Sequence, residues 1–476
     1  MSPPTTALPG RPRLADHALV RRHFVDGEEV IVVHDARSGD LVRMPPRAWA
    51  LIEAADGTRD LGGLLLAASQ RGVLLRASEL WSVLTDLNAV GLLTDGIDPF
   101  ALDPAPSVGD PDVPLDVLPF TLVCDGSGAC CALYSTVRFT VEEAERARSI
   151  APGIREGKAR VFLPLAGSGA QPSRAATAID GACSYLAVDQ ACEIHRAGGM
   201  AAKPAGCALY PATFVFDGEA VRVSLGVECA CIVKSLGNKG GTPLVADSAK
   251  RRGDLPAGAQ VAILPEMIDL CATKTAPRDA VVAWSRAVLR VLAASESAEK
   301  SDADGGSRAG APEDMPTLLW SLAAAVDKGD LSEEGARAAR AEAAPPDESA
   351  LAPWAAALAE RCAAKLSSAE RWRGRSDRVL RESRALAAAA SSFQEAQGRA
   401  RALAGEGAPR EVERFYVVSI LFGHGLFGDV PLAAALRDRA VRMWLARLVP
   451  EAEGALATVE ALMRAQGLKE YTKAVR

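Results

Sequence analysis

The sequence predicts an α+β protein that is divided into three structural regions. Short apolar segments with the alternation of β-strands come first, together with apolar residues at helical spacing. A cysteine-rich region follows, in which eight of the ten cysteines fall between residues 124 and 231. The remainder is rich in Ala, Leu, Arg and Glu, which are strong helix formers. We therefore expect a mixed N-terminal domain at 14–96, an irregular cysteine-rich domain at 120–240 and a mostly α-helical C-terminal domain at 314–476.

The predicted N-terminal domain combines strands with helices. Glu29–His34 and Leu41–Met44 have strand-like patterns, and Ala36–Gly39 between them supplies a turn that contains glycine. Three helices are predicted after Pro46. Their apolar positions are Trp49, Leu51, Ile52, Leu61, Leu64, Leu65, Leu80, Val83, Leu84, Leu87 and Val90.

Two strands followed by three helices resemble a winged-helix module. Together with the Asp-Gly-Thr-x-Asp stretch at Asp56–Asp60, the pattern is similar to the PqqD-like peptide-recognition domains found beside peptide-modifying enzymes. The resemblance implies that a protein or peptide substrate is a partner of this domain. A structural docking domain is the alternative interpretation.

Two short motifs predict local structure in the cysteine-rich region. Thr140–Glu143 has the sequence of a capping box, which predicts a helix that continues to Ile150. Asp217–Gly218 separates the apolar stretches Thr213–Phe216 and Ala220–Ser224, a strong signal for a β-hairpin.

The clustered cysteines are the candidates for chemistry. Thiolates are soft ligands suited to zinc, copper(I) and iron–sulfur clusters, and a tetrahedral structural zinc site takes four ligands. Eight sulfurs exceed one mononuclear site, so either two sites exist or some cysteines have other roles. The candidate metal ligands are Cys124, Cys130, Cys131, Cys183, Cys192, Cys207, Cys229 and Cys231.

Three interpretations of these cysteines compete. A disulfide framework needs an oxidising compartment, and the start of the chain has neither the basic leader nor the apolar segment of a signal peptide. Buried cysteines that act as small hydrophobic residues suit Cys271 and Cys362, which stand apart from the others. Metal or cluster ligation in a reducing cytoplasm fits the dense grouping best, so we expect 120–240 to be a metal-binding domain.

Composition excludes two classes of partner. The net charge of −6 offers no basic surface for nucleic acid. The longest apolar runs, such as Leu61–Ala68, fall far short of the ~18 residues that a membrane span requires. We expect a cytoplasmic protein without nucleic-acid or membrane partners.

The order of motifs in the cysteine-rich region resembles that of a known family. The Cys130–Cys131 pair precedes Cys-x-Tyr-Leu at Cys183, Cys-x-Ile-His at Cys192 and Lys-Pro-x-x-Cys-x-x-Tyr-Pro at 203–211. This order is similar to the YkgJ-like cysteine-cluster family, whose members are described as zinc- or iron-chelating and include the flagellin lysine-N-methylases. The resemblance implies cluster-ligand positions for Cys124, Cys130, Cys131, Cys183, Cys192 and Cys207.

Two further residues near these cysteines have alternative interpretations. His195 lies three residues after Cys192 and is either a nitrogen ligand or an ordinary helix residue, since the family usually has Tyr there. Lys203 either steers an anionic group or is simply solvated. The acid–base residues of a reaction cannot be assigned from the sequence.

The rest of the chain predicts helices. Residues 241–294 are expected to form a helical extension and 295–313 a flexible linker rich in Ser, Gly and Asp. The segment Glu413–Gly423 resembles the C-terminal helical segment of the flagellin methylases, and a core helix is the alternative. The predicted C-terminal helices are Leu318–Val326, Leu351–Leu366, Val379–Ala404 and Val412–Phe422.

Two classes of function follow from these patterns. The family resemblance implies an enzyme in which an iron–sulfur cluster (4Fe-4S) binds S-adenosylmethionine and a protein or peptide lysine is methylated. No Gly-x-Gly-x-x-Gly motif follows a predicted strand, so a Rossmann-type methyltransferase is not expected. The alternative is a non-catalytic protein that chelates zinc or iron, or a redox sensor based on the vicinal thiols of Cys130 and Cys131.

Overall fold

A computed structural model of the chain describes most of the 476 residues. The described residues are 8–15, 17–25, 28–35, 41–70, 73, 76–95, 110–124, 128, 130–131, 138–151, 154–155, 158–159, 162–165, 173–176, 178–179, 182–236, 238, 240–255, 259–302, 314–371, 377–395, 410–427, 430–449 and 455–463.

The fold is mixed helix and strand, which confirms the predicted α+β class. The chain forms two compact units. The first comprises Met1–Pro106, Gly126–Ala208 and Arg371–Val379, and the second comprises Ser107–Asp125, Leu209–Glu370 and Leu380–Arg476. The cysteine-rich region at 120–240 therefore contributes residues to both units.

The N-terminal part of the first unit contains the predicted elements and three strands that the sequence did not reveal. Its helices are α1 (Trp49–Ala54), α2 (Leu61–Gln70) and α3 (Ala77–Ala89). Its strands are β1 (Pro12–Leu14), β2 (Ala18–Val25), β3 (Glu28–Asp35), β4 (Leu41–Met44) and β5 (Leu93–Asp95). Leu51, Leu64, Leu84 and Leu87 are fully buried against Val20 and Val33, so the helices cover one face of the strands.

The main sheet of the first unit includes strands from the cysteine-rich region. Its strand order is β14-β13-β2-β3-β4, where β13 is Ala178–Ile179 and β14 is Ala182–Cys183. Ala178 pairs with His23 of β2 on one side and with Cys183 on the other. The strand that carries Cys183 thus extends the N-terminal sheet.

The remaining elements of the first unit lie between residues 138 and 209. Thr140 and Glu143 form the predicted capping box of helix α4 (Val141–Ile150). Strand β11 (Phe162–Leu165) lies further along the chain. The other elements are β8 (Arg138–Thr140), β9 (Ile154–Arg155), β10 (Lys158–Ala159), β12 (Ser173–Ala176), α5 (Glu193–Gly198) and α6 (Ala205–Leu209).

The second unit contains a four-stranded sheet with the order β18-β15-β16-β6. Strands β15 (Ala212–Phe216) and β16 (Val221–Leu225) form the hairpin predicted from Asp217–Gly218. They are flanked by β6 (Leu115–Val117) and β18 (Val261–Ile263). A separate pair consists of β7 (Thr121–Leu122) and β17 (Thr242–Pro243).

The predicted helical extension at 241–294 is partly wrong, because the described residues before Arg278 form short strands and loops and no α-helix. Strand β18 is followed by the hairpin β19 (Met267–Cys271) and β20 (Lys274–Pro277), and only then does helix α8 (Arg278–Asp302) begin. Alternating burial explains the difference, since Ile268 and Leu270 are buried while Met267 and Asp269 are exposed. The helix also continues into the predicted linker at 295–313, whose last residues lie outside the described part of the chain.

The C-terminal part of the chain is helical, as the sequence predicts. After α7 (Cys231–Ser235) and α8, the helices are α9 (Met315–Lys328), α10 (Glu333–Ala341), α11 (Glu348–Arg371), α12 (Asp377–Glu395), α13 (Arg410–Phe422), α14 (Leu432–Ala446) and α15 (Ala455–Met463). Phe415, Val418 and Phe422 of α13 pack on the core around β15 and β16, which supports the interpretation of this segment as a core helix. Among the described helices, none has the length and apolarity needed to cross a membrane.

Buried ion pairs join the C-terminal helices. Arg447 contacts both carboxylate oxygens of Glu413 at 2.7 and 2.6 Å, and it lies 2.8 Å from Asp314, which caps α9. Glu460 accepts hydrogen bonds from Tyr416 and Arg442 and also contacts Arg439. Breaking a buried pair of this kind by removing one partner is costly, so these contacts fix the packing of the helices.

Candidate metal centre

The candidate ligands are divided between the two units. None of the ten cysteines forms a disulfide, so the structure gives no support to a disulfide framework. Five of the candidates lie in the first unit, where they interact with one another, and we call them the cysteine cluster. They are Cys130, Cys131, Cys183, Cys192 and Cys207.

The vicinal pair lies at the centre of these interactions. Cys130 and Cys131 are in helical backbone, with Cys130 exposed and Cys131 partly buried. A hydrogen bond with Cys130 is the largest cause that raises the pKa of the Cys131 thiol, followed by burial. The nearby thiols of Cys183 and Cys207 raise this pKa further. Cys131 therefore interacts with three other cysteines.

Cys183 and Cys192 lie at the two ends of a closed loop. The Leu186 N–H donates to Cys183 O, and the Glu193 N–H donates to Tyr185 O, both at 2.9 Å. Leu186 also forms an isolated β-bridge with Cys192. The Glu193–Tyr185 bond and the Leu186–Cys192 bridge hold the ends of the loop together across the eight residues between the two cysteines. The spacing between Cys183 and Cys192 thus corresponds to a loop whose two ends both interact with Cys207.

Cys207 reaches the cluster from helix α6. Its N–H donates to Pro204 O at 2.9 Å, so Cys207 lies in the first turn of the helix. Burial raises the pKa of the Cys207 thiol, and the nearby thiols of Cys183, Cys192 and Cys130 raise it further. Lys203 lowers the pKa of the Cys207 thiol. The positive charge of Lys203 therefore lies close enough to Cys207 to favour its thiolate.

One hydrophobic core supports the cysteine-bearing segments. Tyr185 follows Cys183 by two residues and Ile194 follows Cys192 by two, and both side chains are buried together beneath the cluster. Cys183 and Cys192 themselves are packed against this core. Its buried members are Phe139, Ala144, Ala147, Ala151, Tyr185, Ile194 and Ala202.

The other three candidate ligands belong to the second unit. Cys229 and Cys231 are buried in a hydrophobic core, with 5% and 9% of their surfaces exposed. Cys124 is exposed and follows β7, whose neighbour Val123 donates its N–H to Ser235 Oγ. Ser235 in turn donates to Cys231 O at 2.7 Å. The ligand roles of these three cysteines stay predictions.

The side chains are not arranged as a finished coordination site. Among the described residues, no group of three or more His, Cys, Asp or Glu side chains has a geometry that would hold a metal ion. Metal ligands must be thiolates, whereas Cys131 and Cys207 have raised pKa values that keep the thiols protonated near neutral pH. Closely spaced thiols oppose further ionisation, which is why the neighbouring cysteines raise these pKa values.

The structure also places the residues with alternative interpretations. His195 is exposed on α5, and its carbonyl accepts a hydrogen bond from Gly199 N–H. The neighbouring Asp189 pairs with Arg196 at 2.5 Å. These contacts are consistent with the interpretation of His195 as an ordinary helix residue.

The tertiary contacts of two residues near the cluster were not evident from the sequence. Gly128 has a left-handed φ of +63°, which glycine adopts readily. It lies against Leu186 and Gln190, so it joins the vicinal pair to the loop. Glu143 was recognised only as part of a capping box. Nothing in the sequence showed that it also contacts α6.

Comparisons with known proteins add no assignment. No protein-family model, no curated protein and no solved structure matches the chain.

Proposed function

We propose that this protein binds zinc or an iron–sulfur cluster through thiolates of the cysteine cluster. The observation that carries the proposal is that thiols supplied by separate segments of the chain interact electrostatically with one another. A group of small hydrophobic cysteines would have no reason to gather, whereas soft metal ions need several thiolates at one point.

The donor set fits the proposed metal. Five thiols of the cluster exceed the four that one tetrahedral zinc ion or one four-cysteine cluster uses. Lys203 favours the thiolate form of Cys207, as a residue beside a metal ligand should. Metal binding would replace protons on Cys131 and Cys207 and would draw the thiols into coordination, since binding of this kind is coupled to local folding.

The second candidate function is modification of a protein or peptide, and one observation favours it. Strand β14, which ends at Cys183, belongs to the same sheet as β2, β3 and β4 of the N-terminal domain. A peptide held by that domain would be close in structure to the cluster. The resemblance to the flagellin methylases supplies the proposed reaction, transfer of a methyl group from S-adenosylmethionine to a lysine.

In that reaction an iron atom without a cysteine ligand would supply a coordination position for the amino-acid part of S-adenosylmethionine. The residues of this chain would bind the cluster and orient the substrate peptide. Cys183, Cys192 and Cys207 would hold the cluster, and the N-terminal domain would hold the substrate peptide. The non-catalytic alternative is a chelating protein that uses the same thiols without S-adenosylmethionine.

Cobalt titration tests the metal-binding proposal. Co²⁺ bound by several thiolates gives an intense sulfur-to-metal charge-transfer band, whereas Co²⁺ bound by oxygen or nitrogen alone does not. We expect this band when Co²⁺ is added to reduced, metal-free protein. A titration that reaches excess Co²⁺ without the band would contradict the proposal.

A second experiment separates the enzyme from the chelator. If the protein contains an iron–sulfur cluster, S-adenosylmethionine is expected to change the cluster's absorption and electron paramagnetic resonance spectra. Stoichiometric zinc in a colourless protein would remove the methyltransferase function and leave the chelating one.

A further inference from the structure

Glu143 contacts the start of its own helix and also Ala205, 62 residues further along the chain, at the start of a second helix. Its Oε2 accepts the Thr140 N–H at 2.8 Å, which completes the capping box of α4. Its Oε1 accepts the Ala205 N–H at 2.7 Å, at the first residue of α6. One carboxylate thus joins the helix beneath the cluster to the helix that carries Cys207.

The contact with Ala205 supplies an acceptor for a main-chain N–H at the start of helix α6. The helix is short, and Pro204 immediately before it has no N–H. Pro204 O already accepts the N–H groups of Cys207 and Ala208, each at 2.9 Å. The Ala205 N–H is therefore the first donor of the turn, and a negatively charged acceptor is favourable at the start of a helix. Cys207 lies two residues further along this turn.

We propose that Glu143 is the positioning residue that fixes Cys207 in the cysteine cluster. The inference rests on the proposed metal-binding function. Residues that orient metal ligands hold them through hydrogen bonds of this kind. Here the bond orients the main chain that carries the thiol. Glu143 sets the place of α6 relative to α4, and α4 packs on the same core as Cys183 and Cys192.

The two oxygens of Glu143 make the proposal testable with a conservative substitution. A glutamine side chain has one acceptor oxygen and one NH2 group that only donates. Glu143→Gln therefore leaves either Thr140 or Ala205 without its acceptor. Ala205→Pro is the complementary variant, because it removes only the Ala205 N–H, at the first helical position where proline is tolerated. It leaves the capping box of α4 intact.

Two control variants separate the positioning role of Glu143 from its effects on the stability of α4 and on the local charge. Thr140→Val removes the hydroxyl that accepts the Glu143 N–H at 3.2 Å, so it weakens the capping box without touching the bond to Ala205. Glu142→Gln removes the same charge from the same turn at an exposed position. Circular dichroism and thermal unfolding report the fold of each variant.

The experiment is a Co²⁺ titration of the reduced full-length chain, read at the thiolate-to-cobalt band. We expect Glu143→Gln and Ala205→Pro to bind Co²⁺ about 10- to 100-fold more weakly than the wild type. Their bands should also be less intense at saturation, because fewer thiolates are bound. Thr140→Val and Glu142→Gln should match the wild type.

Wild-type affinity and band intensity in both Glu143→Gln and Ala205→Pro would overturn the positioning role. An equal loss in Thr140→Val would also overturn it, because capping of α4 alone would then explain the effect. Absence of the band in the wild type is a different outcome, since it contradicts the proposed function and removes the inference with it.

Discussion

Gly128 lies against Leu186 so closely that a Cβ atom on Gly128 would come within 2.8 Å of Leu186 Cδ1. The same atom would lie 3.0 Å from the main-chain oxygen of Gln190. This contact joins the segment before Cys130 to the loop between Cys183 and Cys192. It is the point at which two of the cysteine-bearing segments meet.

Replacement of Gly128 should therefore weaken metal binding. Gly128→Ala adds a methyl group that the loop cannot accept without moving, and it also forces alanine into a left-handed conformation that costs about 1–2 kcal/mol. Gly91→Ala is the matched control, because Gly91 has φ +71° but nothing within 4 Å of the added atom and lies outside the cluster. We expect both variants to lose some stability and only Gly128→Ala to bind less metal. Equal metal content in the two variants would show that the contact with the loop is unimportant.

Substitution of single cysteines tests the ligand assignment. Cys207→Ala removes a thiol that interacts with three other cysteines, so bound metal and solubility should fall together. Cys271→Ala should change neither, because Cys271 lies in β19 of the second unit, outside the cluster. The measurement is metal per chain in protein purified under identical conditions. The same metal content in wild type and Cys207→Ala would exclude Cys207 as a ligand.

Metal binding should release protons. A hydrogen bond with Cys130 and burial raise the pKa of the Cys131 thiol, and burial raises that of Cys207, so both are protonated without metal near neutral pH. The bound form needs thiolates, so affinity must fall as the pH falls, by about tenfold per pH unit for each proton released. Addition of Zn²⁺ to weakly buffered, metal-free protein should acidify the solution. Binding without proton release would mean that the metal is not held by these thiols.

The buried carboxylate of Glu460 should make the second unit sensitive to acid. Burial alone would raise the pKa of Glu460, but the neighbouring Arg439 and Arg442 lower it from 4.5 to about 2. The resulting stabilisation is complete above the unfolded-state value of 4.5 and is lost as the pH falls towards 2.

Glu460→Gln should consequently reduce the free energy of unfolding by about 3 kcal/mol at pH 7, and by progressively less below pH 4.5. Denaturant titrations at pH 7 and pH 3 measure this difference, with the exposed Glu334→Gln as the control. A difference between wild type and Glu460→Gln that does not change with pH would contradict the assigned ion pairs.

Local signals predicted much of the fold. The Asp217–Gly218 hairpin, the capping box at Thr140–Glu143 and the C-terminal helices were predicted because each depends on neighbouring residues. Strand β2 was missed because Arg21 and His23 interrupt its apolar pattern, although both are buried. Residues 261–277 were mistaken for helix because short apolar segments do not define a period.

The candidate site could be predicted only in part. The number and type of cysteines indicated soft-metal chemistry, but their spacing did not show which thiols meet. That depends on tertiary contacts, such as Gly128 with Leu186 and Glu143 with Ala205. Their spacing likewise did not show that Cys229 and Cys231 lie in the hydrophobic core of the second unit.

Elemental analysis of the wild-type protein, purified without exposure to air, tests the central claim most directly. The proposal predicts either iron with an equal amount of acid-labile sulfide or stoichiometric zinc, and in both cases the amount should fall in Cys207→Ala. Wild-type protein that contains neither metal, and takes up neither Zn²⁺ nor Fe²⁺ with sulfide after reduction, would contradict it.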